Sequence, residues 1–299
     1  MLQNFTKEIE DLKASHVKII DPEMTKYYLQ HVGHTRIKKY INSIKKSLYH
    51  KNESISFDEF VDIYSFDKKL RSLIFDAVSI FEISMRSQLS YWLTVEHGEF
   101  VHNNHRYFSS KRYSTNCIKL GKNFSDEGSL KGTPFSEVCQ HMTFSDLSFW
   151  FKSINAGCSA AKRNISKVYG LKSCDVMEGW MHRLSDIRNI CAHHGILIDS
   201  YSYKSRIRLV KSISTNYREY YYLKDEIEIS KSNDRFAHDG LYNNIVILMY
   251  LMDIIDQGSE WRTKVISLLE NYSQKVLRMN RRIGLPEDWS RRKIWNVSL

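Results

Sequence analysis

The chain has 299 residues, with 44 Lys and Arg against 34 Asp and Glu, a net charge of +10 and a pI near 9.2. Hydrophobic residues at 42% and charged residues at 26% exclude a low-complexity disordered chain, and with only three prolines and 12 glycines an all-β fold built on tight turns is disfavoured. The excess of positive charge points to a polyanionic partner, nucleic acid first.

Cys117, Cys139, Cys158, Cys174 and Cys191 form no CxxC pair and are odd in number, which argues against a disulfide framework or a zinc ribbon and predicts a reducing, cytoplasmic setting. The N-terminal stretch MLQNFTKEIEDLK carries early acids and does not read as a secretory signal. The longest apolar run, Ile245 to Met252, is too short to span a bilayer, so no membrane partner is expected.

In chain order, Asp21-Pro22-Glu23 reads as a helix start with proline at the first helical position. Tyr27 to Tyr49 then predicts one amphipathic helix whose outer face carries Arg36, Lys38, Lys39, Lys45 and Lys46. Ser56 and Glu59 have capping-box spacing and open the longest periodic region, which carries Phe66, Leu70, Ile74, Phe81, Met85 and Leu89 and stops at Gly98. Residues 99–133 are polar and predict a long loop with short helical pieces. Helices resume over about 135–141, from Thr143 with Asp146 in capping-box spacing, and over about 157–168. Ser173 is expected to cap a helix with Val176, Trp180, Leu184, Ile187 and Cys191 on one stripe, ended by Gly195. Residues 200–231 alternate in short stretches and predict a hairpin or an irregular arm, followed by helices over about 233–257 and 259–281. The expectation is an all-α bundle in one compact unit: an N-terminal basic region (1–55), a core (56–281) with two insertions (about 99–133 and 200–231), and a basic tail (282–299).

Chemistry concentrates in Arg188-Asn189-Ile190-Cys191-Ala192-His193-His194, at the end of a predicted helix. Arg188 is a permanent cation with a planar fork suited to phosphate. His193 can exchange a proton near neutral pH. Asn189 stands one turn before His193, where the two side chains can meet. A cation and a proton-transfer group facing one phosphate suffice for metal-independent RNA cleavage. A base removes the 2′-OH proton, the cation stabilises the crowded phosphorane, and an acid protonates the 5′-oxygen as it leaves. His194 is the candidate second acid or base. Arg188 and His193 do not share a face of an ideal helix, so an Arg capping carbonyls beside a partly buried His is the competing reading.

Glu82 and Arg86 lie one turn apart on an otherwise apolar helix, where charges are costly unless paired. They read either as a structural ion pair or as a pair that orients Arg188 or the phosphate. Cys191, His193 and His194 lack a second ligand cluster, so no metal is expected, and no cofactor motif is present. Three basic segments are candidate RNA contacts. They are the outer face Arg36, Lys38, Lys39, Lys45 and Lys46; the aromatic-interleaved Tyr203, Lys204, Arg206 and Arg208; and Arg281, Arg282, Arg291 and Arg292 near the C-terminus.

The string Arg188 to His194 resembles the Arg-polar-x-x-x-His signature of HEPN ribonucleases. Several blocks in order resemble the bacterial Abi-like family, of the AbiD/AbiF abortive-infection type: Tyr28-Leu29 with His34-Thr35-Arg36-Ile37 and Tyr40; Tyr64-x-Phe66-Asp67-x-x-Leu70-Arg71; Phe81 to Leu89; Glu137 with Met142 to Ser148; and Leu285 to Trp289. The resemblance implies a HEPN-like helical core and metal-independent endoribonuclease activity, giving 2′,3′-cyclic phosphate and 5′-OH ends, with catalytic residues Arg188, Asn189, His193 and His194 supported by Glu82 and Arg86. It also implies a role in antiphage defence or toxin–antitoxin growth arrest, and a small structured noncoding RNA as partner. HEPN sites combine two motifs and this chain has one, so a homodimer is expected. The alternatives are a non-catalytic RNA-binding protein and a protein-interaction module.

Overall fold

The computed structural model describes residues 5–45, 54–108, 111–125, 129–155, 159–198, 241–273 and 283–296. Among them the order is α1 (Thr6–Ala14), β1 (Val17–Lys18), α2 (Pro22–His31), α3 (His34–Lys45), β2 (Ile55–Ser56), α4 (Phe57–His97), α5 (Lys111–Gly121), α6 (Phe135–Gln140), α7 (Phe144–Ser153), α8 (Ser159–Val168), α9 (Cys174–Ala192), α10 (Leu241–Ile255) and α11 (Trp261–Ser273). The protein is predominantly helical, as composition predicts. One parallel pair interrupts the pattern, with Val17 beside Ile55 and Lys18 beside Ser56. Two-residue strands carry no readable alternation, which is why the sequence does not announce them.

α4 is the axis of the molecule. Its 41 residues extend about 60 Å at 1.5 Å per residue. Ser56 Oγ accepts from the Glu59 amide at 3.0 Å, Asp58 and Glu59 complement the positive helix end, and Gly98 at φ +84° ends the helix. The stripe Phe66, Leu70, Ile74, Phe81, Met85 and Leu89 is fully buried, and α3, α6, α7, α8, α9, α10 and α11 all pack on this one helix. α10 is buried at every position from Leu241 to Asp253, so its apolar run is a core helix.

The basic segment after Tyr27 is two helices, not one. At Gly33 the backbone turns to φ +86°, and the Val32 and Gly33 amides both donate to the Tyr28 carbonyl, at 2.8 and 3.2 Å. A residue without Cβ takes that conformation at no steric cost, and the chain re-enters helix at His34. Residues 46–49, which the sequence reading includes in this helix, lie outside the described residues. The stretch 99–133 holds two 3-10 turns, Val101–Asn103 and His105–Tyr107, and the eleven-residue α5, longer than the short pieces predicted. Ser173 sits at the N-cap of α9, but its side chain makes no capping hydrogen bond. The arm predicted over 200–231 and the start of the helix predicted from 233 lie outside the described residues.

The Thr143 and Asp146 capping box forms in full. Burial pushes the Asp146 carboxyl up, but Thr143 Oγ1 at 2.7 Å, Asn116 at 3.1 Å, the Thr143 amide at 3.0 Å and Lys119 at 3.2 Å outweigh it and hold it below its ordinary value. A lowered folded-state pKa gives stability that is complete above the unfolded value, about 4, and disappears as the pH falls through the lower folded value. Asp146→Asn is therefore expected to be less stable than the parent at pH 7, with the difference in urea midpoint shrinking as the pH falls below 4. A gap that stays constant with pH would show that the carboxylate charge does not close this box.

Candidate functional site

α9 buries Val176, Met177, Trp180, Leu184, Ile187 and Cys191 and carries Arg188 and Asn189 half-buried on its flank. The helix ends in a turn closed by three backbone bonds. The His193 amide donates to the Asn189 carbonyl at 3.0 Å, His194 to Cys191 at 3.1 Å and Gly195 to Ile190 at 2.7 Å. The last two are the bonds of a Schellman cap, which places one residue in the left-handed region. That residue is His194, at φ +54°, and not the glycine that the sequence reading made the stop signal. Gly195 serves a different need. A Cβ there would stand 2.9 Å from Ile190 Cγ2 and 3.1 Å from the Ile190 carbonyl oxygen, so the chain passes too close to α9 for a side chain.

The cap leaves both imidazoles, His193 and His194, exposed to solvent. It also charges His194 for an unfavourable backbone. A left-handed conformation costs a residue with Cβ about 1 kcal/mol or more, and glycine far less. His194→Gly is expected to raise the urea midpoint by the equivalent of about 1 kcal/mol. An unchanged or lower midpoint would mean that the histidine side chain repays its own strain.

Arg188 is anchored from behind. Its Nε stands 3.7 Å from Glu82 Oε2, and its guanidinium lies 5.8 Å from the centre of the Phe75 ring. Nε is itself buried and makes no hydrogen bond among the described residues. The other Glu82 oxygen accepts from Arg86 at 2.9 Å, and Arg86 also donates to the carbonyls of Cys139 and Met142, each at 2.9 Å. Both readings of the Glu82 and Arg86 pair thus have a geometric counterpart. Arg86 ties α4 to the α6–α7 connection, and Glu82 stands between Arg86 and Arg188. Asn189 is directed elsewhere than expected: its Nδ2 lies 3.5 Å from Ser145 Oγ on α7, which in turn pairs with Ser185 Oγ at 2.7 Å. Cys191 is no nucleophile, because burial pushes its thiol up to about 12 against the pull of Arg71.

The turn after α9 is held by residues that the sequence reading did not assign to the site. Asp67 on α4 is fully buried, and its Oδ1 accepts from the Leu197 and Ile198 amides at 2.9 and 3.0 Å. Its Oδ2 accepts from Tyr40 at 2.6 Å and from Arg71. Arg71 also donates to the Gly195 carbonyl at 2.9 Å. Burial raises the Asp67 carboxyl, and the same environment raises the Tyr40 hydroxyl. From the other side Arg36 on α3 donates to the His194 carbonyl at 2.6 Å, with its guanidinium near the Tyr40 and Tyr64 rings. The signal was present in the sequence: Asp67 and Arg71, one turn apart, interrupt the apolar stripe of Phe66, Leu70 and Ile74, as Glu82 and Arg86 do farther along. What the sequence cannot supply is the partner, a turn about 130 residues away along the chain.

The candidate RNA contacts divide. Arg36 is engaged with the His194 turn, Lys38 donates to Asp11 at 2.7 Å, and Lys45 donates to the Ser15 carbonyl. Lys38 and His34 together hold the Asp11 carboxyl below its ordinary value, the Lys38 hydrogen bond contributing most. Arg292 bonds Asp288 at 2.9 Å, while Lys39 and Arg291 are exposed. Lys46, Tyr203, Lys204, Arg206, Arg208, Arg281 and Arg282 lie outside the described residues.

Among the described residues no group of three or more His, Cys, Asp and Glu side chains is placed to hold a metal ion, and no helix is long and apolar enough to cross a membrane. No curated protein and no solved structure matches the chain. Residues 27–199, more than half of the 299, match the family model described as Abi-like protein. That span contains Glu82 and Arg86, the Asp67 and Arg71 pair, and the whole Arg188 to His194 segment. The chain belongs to the Abi-like protein family.

Proposed function

We propose that this Abi-like protein is a metal-independent endoribonuclease of the HEPN superfamily, of the AbiD/AbiF abortive-infection type. It acts in the cytoplasm in antiphage defence, as a homodimer that binds a small structured noncoding RNA. The observation that carries the reading is the α9 terminus: a half-buried arginine backed by a carboxylate, followed by two exposed histidines on a clamped turn. Arg188 presents its fork to the scissile phosphate. Glu82 holds that fork from behind without neutralising its outer edge. One imidazole, His193, takes the 2′-OH proton, and the 2′-oxygen attacks phosphorus. The P–O5′ bond breaks, and a protonated imidazole, His194 or a second His193, returns a proton to the 5′-oxygen. The products carry 2′,3′-cyclic phosphate and 5′-OH ends.

Residues five apart on a helix point about 140° from each other, so Arg188 and His193 of one chain do not face a common phosphate. A second copy supplies the complement across a two-fold axis. Among the described residues, Lys39 and Arg291 are the exposed cations, of those proposed, left to hold RNA away from the cut.

The test is incubation of purified protein with a 5′-labelled RNA in EDTA, with end-group analysis of the fragments and sequencing of any nucleic acid that copurifies. Cleavage with 5′-OH ends in EDTA is expected. RNA that is bound but never cut would leave a non-catalytic RNA-binding protein in place of the enzyme, and cleavage abolished by EDTA would overturn the metal-independent chemistry.

A further inference from the structure

From Ala77 to the end of α4 at His97, the only exposed positions are Ile83, Ser87, Tyr91 and Val95. None carries a charge, in a chain whose residues are 26% charged. Ile83, Tyr91 and Val95 are 63%, 57% and 61% exposed, and Phe75, earlier on the same helix, is 37% exposed. Water is a poor long-term partner for such a strip, because each of these side chains gains by being covered.

The positions follow one rule. Phe75, Ser79, Ile83, Ser87 and Tyr91 are each four residues apart and so form a single ridge along the helix. Read from Ile83, the ridge is a near-palindrome: a serine four residues away on each side, then an aromatic residue eight away on each side. A surface that reads alike in both directions is the requirement of an isologous contact. We infer that this ridge is the seat of a second copy of the chain, with the two-fold axis passing through Ile83. The inference rests on the dimeric reading proposed above and names its surface.

The pairing is specific. Ile83 meets Ile83 of the partner subunit, Ser79 meets Ser87 of the partner subunit, and Phe75 meets Tyr91 of the partner subunit. Beside Tyr91, between α4 and α6, lies a groove of about 490 Å³ lined by Ser87, Ser90, Thr94, Val95 and Ser136, among others. Phe75 of the partner subunit reaches this groove. Helices packed in this way lie with their axes about 8–10 Å apart.

The axis also has a consequence for the site. Glu82 is the immediate neighbour of Ile83, and Arg188 stands 3.7 Å from Glu82. A two-fold axis at Ile83 therefore sets two Arg188 side chains on opposite sides of one short seam. From Ile83 to Val95 the exposed positions carry no cation, which a phosphate backbone needs, so nucleic acid is not the occupant of that stretch.

A residue on a two-fold axis touches itself, which makes the inference testable by one cysteine. With axes about 8–10 Å apart and Cα atoms about 2.3 Å from each axis, facing Cα atoms stand about 3–5 Å apart, overlapping the range of about 4.4–6.8 Å that a disulfide accepts. Oxidised Ile83→Cys is expected to run as a covalent dimer on a non-reducing gel. The parent protein and Ser72→Cys, exposed elsewhere on α4, are expected to stay monomeric there. Ile83→Glu places like charges in contact, and is expected to convert a sedimenting dimer to a monomer with an unchanged helical circular-dichroism spectrum. A parent protein that sediments as a monomer, or an Ile83→Glu variant that remains dimeric with no Ile83→Cys crosslink, overturns the inference. Sedimentation does not depend on catalysis, so a dimer broken by Ile83→Glu whose parent cuts no RNA would keep this surface and remove the nuclease reading alone.

Discussion

Arg71→Ala is expected to lower stability by about 3–5 kcal/mol, the largest loss from any single truncation considered for this chain. The reason lies in what remains. Asp67 is fully buried, and its carboxylate would lose its charged partner while still accepting from Tyr40 and the Leu197 and Ile198 amides. The Gly195 carbonyl would lose its donor as well. Breaking one side of a buried pair leaves a charge with no way back to water, and that desolvation cost exceeds the value of the pair itself. The double replacement Asp67→Leu with Arg71→Met removes the buried charge but leaves the Leu197 and Ile198 amides and the Tyr40 hydroxyl without their acceptor, so it is not expected to recover the loss seen with Arg71→Ala. Urea unfolding of the two variants and the parent measures this directly. A loss under about 1 kcal/mol for Arg71→Ala would mean that the pair does not organise the turn after α9. The double variant, even if well folded, is expected to cleave RNA poorly, because the Gly195 carbonyl and the Leu197 and Ile198 amides would then have no partner on α4.

His193→Ala should reduce RNA cleavage by roughly a hundredfold to ten-thousandfold, the range that one positioned proton-transfer group supplies, and leave RNA binding close to that of the parent. His193 is exposed, and only its backbone amide closes the cap, so the variant is expected to fold with the parent's urea midpoint. The separation of the two readouts is what gives the experiment its force. A binding module would lose neither cleavage nor affinity on this change. A structural histidine would lose stability. Loss of cleavage alone assigns the proton transfer to this imidazole. Cleavage that survives the substitution would move the chemistry to His194 or away from the α9 terminus.

Much of the architecture was legible before any coordinates. The N-cap at Asp21, the opening of α4 at Ser56, its end at Gly98, and the Thr143 capping box were all read from local residues, because each depends on a few neighbouring side chains and backbone amides. The misreadings have local causes too. Gly33 sits inside a strong hydrophobic rhythm, and periodicity alone does not say whether a glycine is tolerated in a helix or turns it. Gly195 was read as the stop of α9 because glycine is the usual residue where a helix ends in a left-handed turn. Here the close approach to Ile190 claims the glycine one position later, and His194 takes the strained conformation. The basic face of α3 looked like a phosphate-binding surface because charge is visible in sequence, but pairing is not. Lys38 and Arg36 have partners from α1 and from the turn after α9, far along the chain.

By itself, the sequence determined the helical class, the capped starts of α2, α4 and α7 and the short segment that carries Arg188 and His193, since these follow from neighbours within one or two helical turns. Only the tertiary structure decided how that segment is held. Asp67, Arg71 and Arg36 come from α3 and α4, more than a hundred residues before the turn they grip. No local pattern records a hydrogen bond of that span. The network exists because seven other helices pack on α4, so a charge in its buried stripe must find its partner wherever the packed chain brings one.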